Sequence, residues 1–324
     1  MKDSEDYKIN DFALSTSLFG LSYKKAEQVI RSVKELGFRK VELGFMHSSA
    51  FIHNFSSIYK DQGIAVESLH NFCPYPVTHK YPVSPDIYNL SSPDAEERGK
   101  AVSNTINTID NAVELGASAV VVHLGYMPMQ KINKLMFNMY RKVPENIYNI
   151  FVKYFLARRR KISDKYLAYT MSALEKIVSH AKKKHIRVGI ETRMYPHEVP
   201  DMAEMGKILK KFDDPILGYW HDTGHAEIKK KMKIEDSDRY FKEYSDRIIG
   251  IHLHDAKGIC DHMAPGRGDI DFDAVLSEIP CDTIKVIEVH KPCEDIELKK
   301  GSEYLLQKWL EIKKKHGGRN DKGS

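Results

Sequence analysis

Ala119-Val120-Val121-Val122-His123 is an unbroken apolar run that closes on an imidazole. A run this short and this apolar reads as a strand buried on both faces, as in a parallel sheet covered by helices. Working outward, similar β-like runs recur at intervals of about 25 to 55 residues, with amphipathic helical stretches between them. Before it come Phe12–Thr16, Lys40–Leu43 and Ala65–Leu69; after it come Arg187–Glu191, residues 216–221, Ile248–His254 and Lys285–Val289. The intervening helices stop at helix-ending glycines, as at Gly37 after Tyr23–Leu36 and at Gly116 after 95–115, where Asp94 is a candidate cap. Eight such runs alternating with about eight helices predict one α/β domain, a (β/α)8 TIM barrel over residues 1–316.

Two stretches exceed the ordinary connection. Residues 71–93 form a long polar, proline-rich loop. Residues 127–162, rich in Met, Tyr, Phe, Lys and Arg, predict a helical lid inserted after the fourth strand, followed by a helix at about 164–184. The tail 317–324 is expected to be disordered. A length of 324 residues, 42% hydrophobic and 29% charged, is enough for a sizeable core. No apolar run is long enough to span a bilayer, and the polar start, MKDSEDYKIN, has no signal-peptide core. Cys73, Cys260, Cys281 and Cys293 form no CxxC pair, which points to a reducing, cytoplasmic setting. The net charge of +5 comes from short runs at 158–161, 182–184, 229–231 and 313–315. These read as solvated helix faces, so nucleic acid is not an expected partner; only the run at 158–161, beside the expected mouth, is a candidate for attracting an anionic substrate.

The chemistry is concentrated at the ends of the runs. Glu42 lies in the second, His70 meets the third, His123 ends the fourth and Glu191 the fifth. His221, Asp222 and His225 follow the sixth, His252, His254 and Asp255 lie in or beside the seventh, and Glu288 and His290 close the eighth. A closed barrel brings all these ends to one rim, where barrel enzymes keep their active sites. A mixed set of carboxylates and imidazoles aimed at one point suits a divalent ion such as Zn, Mn, Co or Fe(II). Without a cation, burying so many charged groups would be costly. His252 and His254 are two apart on a strand, so both can point to the same side.

The segments Val188–Glu191, His221–His225, Ile251–Lys257, His262–Asp271 and Ile287-Glu288 resemble the xylose-isomerase-like barrel superfamily, which holds the sugar phosphate isomerase/epimerase group and the endonuclease IV group. The resemblance runs in order from about residue 12 to 290. It implies a metal (Zn, Mn, Co or Mg, one to three ions) held by Glu191, Asp222, His254 or His252, and Glu288. The epimerase-like alignment selects His254, the preferred choice, and the endonuclease-like one selects His252. His70, His123 and His225 match further ligands of the endonuclease group. His262, near the Gly266-Arg267-Gly268 motif, matches a substrate or metal contact. Two departures from that group stand out: where it carries an Asp-x-His metal pair before the Gly-x-Gly, this chain has Cys260-Asp261-His262, so the aligned Asp is missing, and the first strand lacks a His. In the epimerase group a second Glu follows six residues after the strand-five Glu; here that place is His197, with Glu198 beside it.

The reaction implied is isomerisation or epimerisation of a sugar or polyol-type hydroxy ketone through an enediolate, with Glu191 and Glu288 as acid and base. His225, His123, His262 and Lys257 are the candidate substrate contacts, and Phe72, Tyr75, Tyr81 and Tyr126 the candidate stacking surface. Rival readings are an endonuclease IV-like phosphodiester hydrolase, a dehydratase acting on an inositol or keto acid, and a non-catalytic sugar-binding barrel. Homo-oligomerisation is left open.

Overall fold

In the computed structural model, which describes residues 11–22, 25–77 and 82–320, eight parallel strands close into a barrel. In chain order they are β1 (Ala13–Ser15), β2 (Lys40–Leu43), β3 (Ala65–His70), β4 (Ala119–Val122), β5 (Arg187–Glu191), β6 (Leu217–Asp222) and β7 (Ile248–Leu253). A short antiparallel hairpin, β8 (Asp255–Lys257) and β9 (Cys260–Met263), precedes β10 (Ile284–Ile287), which pairs with both β7 and β1 and shuts the ring. Helices α1 (Ala26–Glu35), α2 (Ser49–Ile58), α3 (Ala95–Glu114), α4 (Gln130–Met139), α5 (Glu145–Lys184), α6 (Met202–Lys211), α7 (Thr223–Lys231), α8 (Arg239–Tyr244), α9 (Phe272–Glu278) and α10 (Asp295–Asn320) connect the strands. The chain therefore folds as the (β/α)8 barrel its alternation predicts.

Local chemistry sets the helix starts. Asp94 caps α3 by accepting from the Glu96 N–H at 2.8 Å, and Asp201 with Glu204 forms a complete capping box on α6. The expected lid and the helix behind it are not separate units. No Gly or Pro interrupts residues 145–184, so α5 runs for 40 residues in one piece, with α4 ahead of it. The terminal helix likewise continues to Asn320, past the expected boundary at 316. Residues 321–324, like Tyr81 and the polar first ten residues, lie outside those described.

Inside the barrel, Ala13, Ala119, Val121, Trp220, Ile249, Ile284 and Val286 form a core layer nearer the strand starts. Trp220 is fully buried in it, and two glycines on the neighbouring strands make its room. A Cβ at Gly250 would lie 2.3 Å from the indole and one at Gly189 2.7 Å, closer than any real contact. The indole meets the His252 ring edge-on at 5.2 Å, so this layer is the floor of whatever the rim holds. No helix among the described residues is long and apolar enough to cross a membrane, and all four cysteines are free.

Candidate metal centre

Glu191 ends β5, Asp222 ends β6, His252 is the penultimate residue of β7, and Glu288 follows β10 directly. Parallel register places them side by side: Asp222 is level with His252, which is level with Val286. Their ligand-capable atoms all lie within 4.8 Å of one another. His252 Nδ1 is 3.1 Å from Glu288 Oε2, 3.4 Å from Glu191 Oε1 and 3.6 Å from Asp222 Oδ2. The opposite ring nitrogen, Nε2, faces Glu42 Oε2 at 3.2 Å. Ser68 donates to that same oxygen at 2.8 Å and Ser15 to the other at 3.2 Å, so Glu42 is held from both sides. A carboxylate bonded to the far nitrogen of a histidine sets the tautomer that leaves the near one free to ligate.

Four carboxylates, Glu42, Glu191, Asp222 and Glu288, are thus buried around one imidazole, none more than 4% exposed. Burial opposes their ionisation, yet neighbouring histidines outweigh it. Contacts with His123, His252 and His70 hold Glu191 well below the usual carboxylate range, and the charges of His252 and His262 bring Glu288 down to about 2. Burial also opposes protonation of His252, but Glu288 and Glu42 raise it well above the ordinary imidazole value. A single shared proton on His252 offsets little of so much negative charge. Three carboxylates and one imidazole nitrogen, spaced to meet one ion, are a donor set that fits a divalent metal.

Two smaller groups flank this one. His70, His123 and Glu191 converge on one side, and Asp222, His225 and His262 on the other. His70 Nδ1 faces the Asn71 carbonyl at 3.1 Å, His123 Nδ1 faces Asp86 Oδ1 at 2.9 Å, and His225 Nδ1 faces the Thr192 carbonyl at 3.0 Å. In His70 and His123 this leaves Nε2 toward Glu191, whereas the His225 Nδ1 also lies 3.4 Å from Asp222 Oδ1 and its Nε2 faces Asp261. His262 also approaches Glu288 and His290, and its ring is stacked between His254 and His290 at 4.1 and 3.7 Å.

The four-group set includes His252 and not His254, the preferred choice of the epimerase-like alignment. His254 lies one residue beyond β7, where Nε2 meets both Asp222 oxygens at 2.9 and 3.0 Å and Nδ1 accepts the His262 N–H at 2.9 Å. With both nitrogens used, the ring positions Asp222 and does not join the four-group set. Gly224 admits it there, since a Cβ at that position would be 2.2 Å from the imidazole. Lys257 is exposed on the hairpin and is not brought to the cluster. Arg159, in the basic run at 158–161, is no free anion attractor. It is buried, bonded to Glu204 at 2.7 and 2.9 Å, to Asp201 at 2.6 Å and to the Pro196 and Glu198 carbonyls, tying α5 to the β5–α6 loop. Phe72 packs into the core near Tyr88.

Several participants were not singled out from the sequence. Arg193, Glu198 and Asp86 meet beside His123, and Glu198, the neighbour of His197, is the residue that reaches inward. Asp261 lies 3.6 Å from His225 Nε2 and 3.2 Å from His262 Nδ1, so a carboxylate is present near that group although the aligned place holds Cys260. Nothing in the sequence picked Arg193 out of the stretch after β5, or Asp86 out of the 71–93 loop.

The family described as xylose isomerase-like TIM barrel matches residues 30–310. In sequence, the chain is 26% identical over 230 residues to the uncharacterized protein MJ1311 of Methanocaldococcus jannaschii, covering 69% of this chain and 67% of that one. Among solved structures it resembles a D-tagatose 3-epimerase-like protein (TM-score 0.66, 20% identity, 94% of this chain and 98% of that one). It also resembles the IOLI protein with a bound zinc atom (TM-score 0.61, 14% identity, 93% and 96%). At such identities these structural likenesses speak to the fold.

Proposed function

The chain belongs to the xylose isomerase-like TIM barrel family, and from that premise we propose that it is a divalent-metal-dependent isomerase or epimerase of a sugar, sugar phosphate or related polyol. The observation that carries the proposal is the convergence of Glu191, Asp222, His252 and Glu288 on one buried point. The zinc in the IOLI structure and the epimerase-like name of the other neighbour support it. A bound divalent ion would supply a Lewis acid that acidifies the C–H beside a substrate carbonyl.

The protein's own groups then divide the proton work. Glu191 and Glu288 are kept ionised by the histidines around them and stand three strand positions apart on the ring. One, ionised, would take a proton from one side of the substrate carbon, and the other, after taking up a proton from water, would deliver one on the opposite side, the two exchanging protonation states in the turnover; general acid–base transfer contributes on the order of 100- to 10,000-fold. His225 and His262 would bond substrate oxygens, while both nitrogens of His123 are taken by Asp86 and Arg193. Asp86 brings the 71–93 loop down to His123, and Arg159 pins α5 to the loop carrying Glu198, so both inserted segments serve to exclude water. The test is elemental analysis of the purified chain, then a panel of ketoses and polyols followed by proton–deuterium exchange. Exchange should appear with the right sugar and vanish in Glu288→Gln; a chain without bound metal and without exchange on any of them would sink the proposal.

A second reading is a phosphodiester hydrolase of the endonuclease IV kind. The observation favouring it is that His70–His123–Glu191 and Asp222–His225–His262, with Asp261 beside the latter, offer donors for further ions. About three zinc per chain and nicking of abasic DNA would establish it; one or two zinc and no nicking leave the isomerase.

A further inference from the structure

Arg193 is the one guanidinium placed against the cluster among the described residues, and its surroundings differ from those of a substrate-binding arginine. It is 8% exposed. Nη1 lies 2.5 Å from His123 Nε2 and 3.5 Å from Glu191 Oε2, two of the atoms that with His70 make up one flanking group. Nε and Nη2 donate to Glu198 Oε1 at 3.1 and 2.7 Å, and Nη2 also lies 3.3 Å from Asp86 Oδ2. Each of its three nitrogens faces a group of this chain, so little is left for an incoming anion. The two carboxylates hold it from behind, and Glu198 is itself fixed by the Tyr195 N–H at 2.7 Å. A guanidinium cannot shed its charge at any working pH.

We infer that Arg193 is a built-in cation that fills the His70–His123–Glu191 subsite, so that zinc loads at Glu191–Asp222–His252–Glu288 and is excluded from the subsite beside it. This rests on the reading of the four-group set as the metal centre. Nη1 stands within bonding distance of His123 Nε2, the nitrogen an ion there would need, and a divalent ion so close to a fixed positive charge is repelled in a site this dry. Arg193 also neutralises part of Glu191 in place of a second ion, leaving that carboxylate its contact with the first.

Zinc per chain, measured by mass spectrometry after dialysis of each protein against the same free zinc concentration, tests the assignment. His123→Ala should bind as many zinc ions as the unaltered chain, because the subsite holds none. Arg193→Met should gain one equivalent, and the double variant should lose that gain. Loss of one zinc in His123→Ala, or no gain in a folded Arg193→Met, overturns the inference. Should Arg193→Met fail to fold, with Glu198 and Asp86 left unpaired, the His123→Ala count decides alone. An unaltered chain that binds no zinc at all would sink the metal-centre reading, while the gain in Arg193→Met would still report on Arg193.

Discussion

His252 and Glu42 are joined across the barrel, Nε2 to Oε2 at 3.2 Å, and this contact turns the other nitrogen of the imidazole toward Glu191 and Glu288. Glu42 is fully buried and, among the described residues, reaches no other histidine within bonding distance. Replacing it by Gln keeps the shape and removes the charge that favours the ligating tautomer. Zinc affinity, read by chelator competition, should fall roughly 10- to 100-fold with the stoichiometry unchanged. An unaltered affinity would show that Glu42 is not positioning the ring.

The floor under His252 gives a second prediction. Gly250→Ala places a methyl carbon 2.3 Å from Trp220, and the flanking strand offers no retreat. Overpacking of this kind costs about 1–3 kcal/mol, to be read in a urea titration. The displaced indole should also weaken zinc binding. A variant as stable as the original chain would mean that the indole has space to move.

Arg159 ties the long insertion helix to the loop that carries Glu198. Arg159→Met leaves Glu204 buried without its partner, and breaking one half of such a pair costs about 3–5 kcal/mol. Converting Glu204 to Leu as well should recover part of the loss, because the orphaned charge is then gone. If the double variant is less stable than the single one, the interaction is not the ion pair.

Lys285 provides a pH signature far from the rim. Burial pushes its ammonium down to about 8, against an ordinary value of 10.5, although Nζ donates to the Cys281 and Thr283 carbonyls at 3.0 and 2.7 Å. Its folded value is the lower one, so between about pH 8 and 10.5 the unfolded chain holds a proton that the folded chain has released. Stability relative to Lys285→Met should therefore rise with pH through that window, by about 2–3 kcal/mol. Parallel stability curves for the two proteins from pH 7.5 to 10.5 would show that Lys285 keeps its ordinary value.

Metal removal supplies the last prediction. Chelation should strip the four-group set and leave its carboxylates facing one another, lowering the melting temperature. Ligand linkage at a thousandfold excess over Kd is worth about 4 kcal/mol, and added zinc should restore it. A melting curve indifferent to chelator and zinc would mean that no ion is held there.

The barrel was legible because its evidence is local. Ala119–Val122 and Ile248–Leu253 are apolar in the manner of strands covered on both sides, and glycines mark the ends of the helices between them. The rim residues were legible for the same reason: Glu191, Asp222, His252 and Glu288 each stand at or near the end of such a run. Helix α5 was partly misread because polar and apolar residues mix along it, while nothing in its composition could break it.

Sequence alone determined that seven of the eight strand ends, carrying carboxylates and imidazoles, would face one way, since the two-residue period of a strand and the closure of a barrel bring those side chains to one rim. Only the tertiary structure showed which of His252 and His254 turns a nitrogen toward Glu191, Asp222 and Glu288, because both share a face and the outcome depends on which ring nitrogens Glu42, Asp222 and the His262 amide already occupy. It also decided that Asp86, Arg193 and Glu198 surround His123. That meeting joins the 71–93 loop to the end of β5, and no local pattern reports such a contact, because it is set by how the loops fold over the rim.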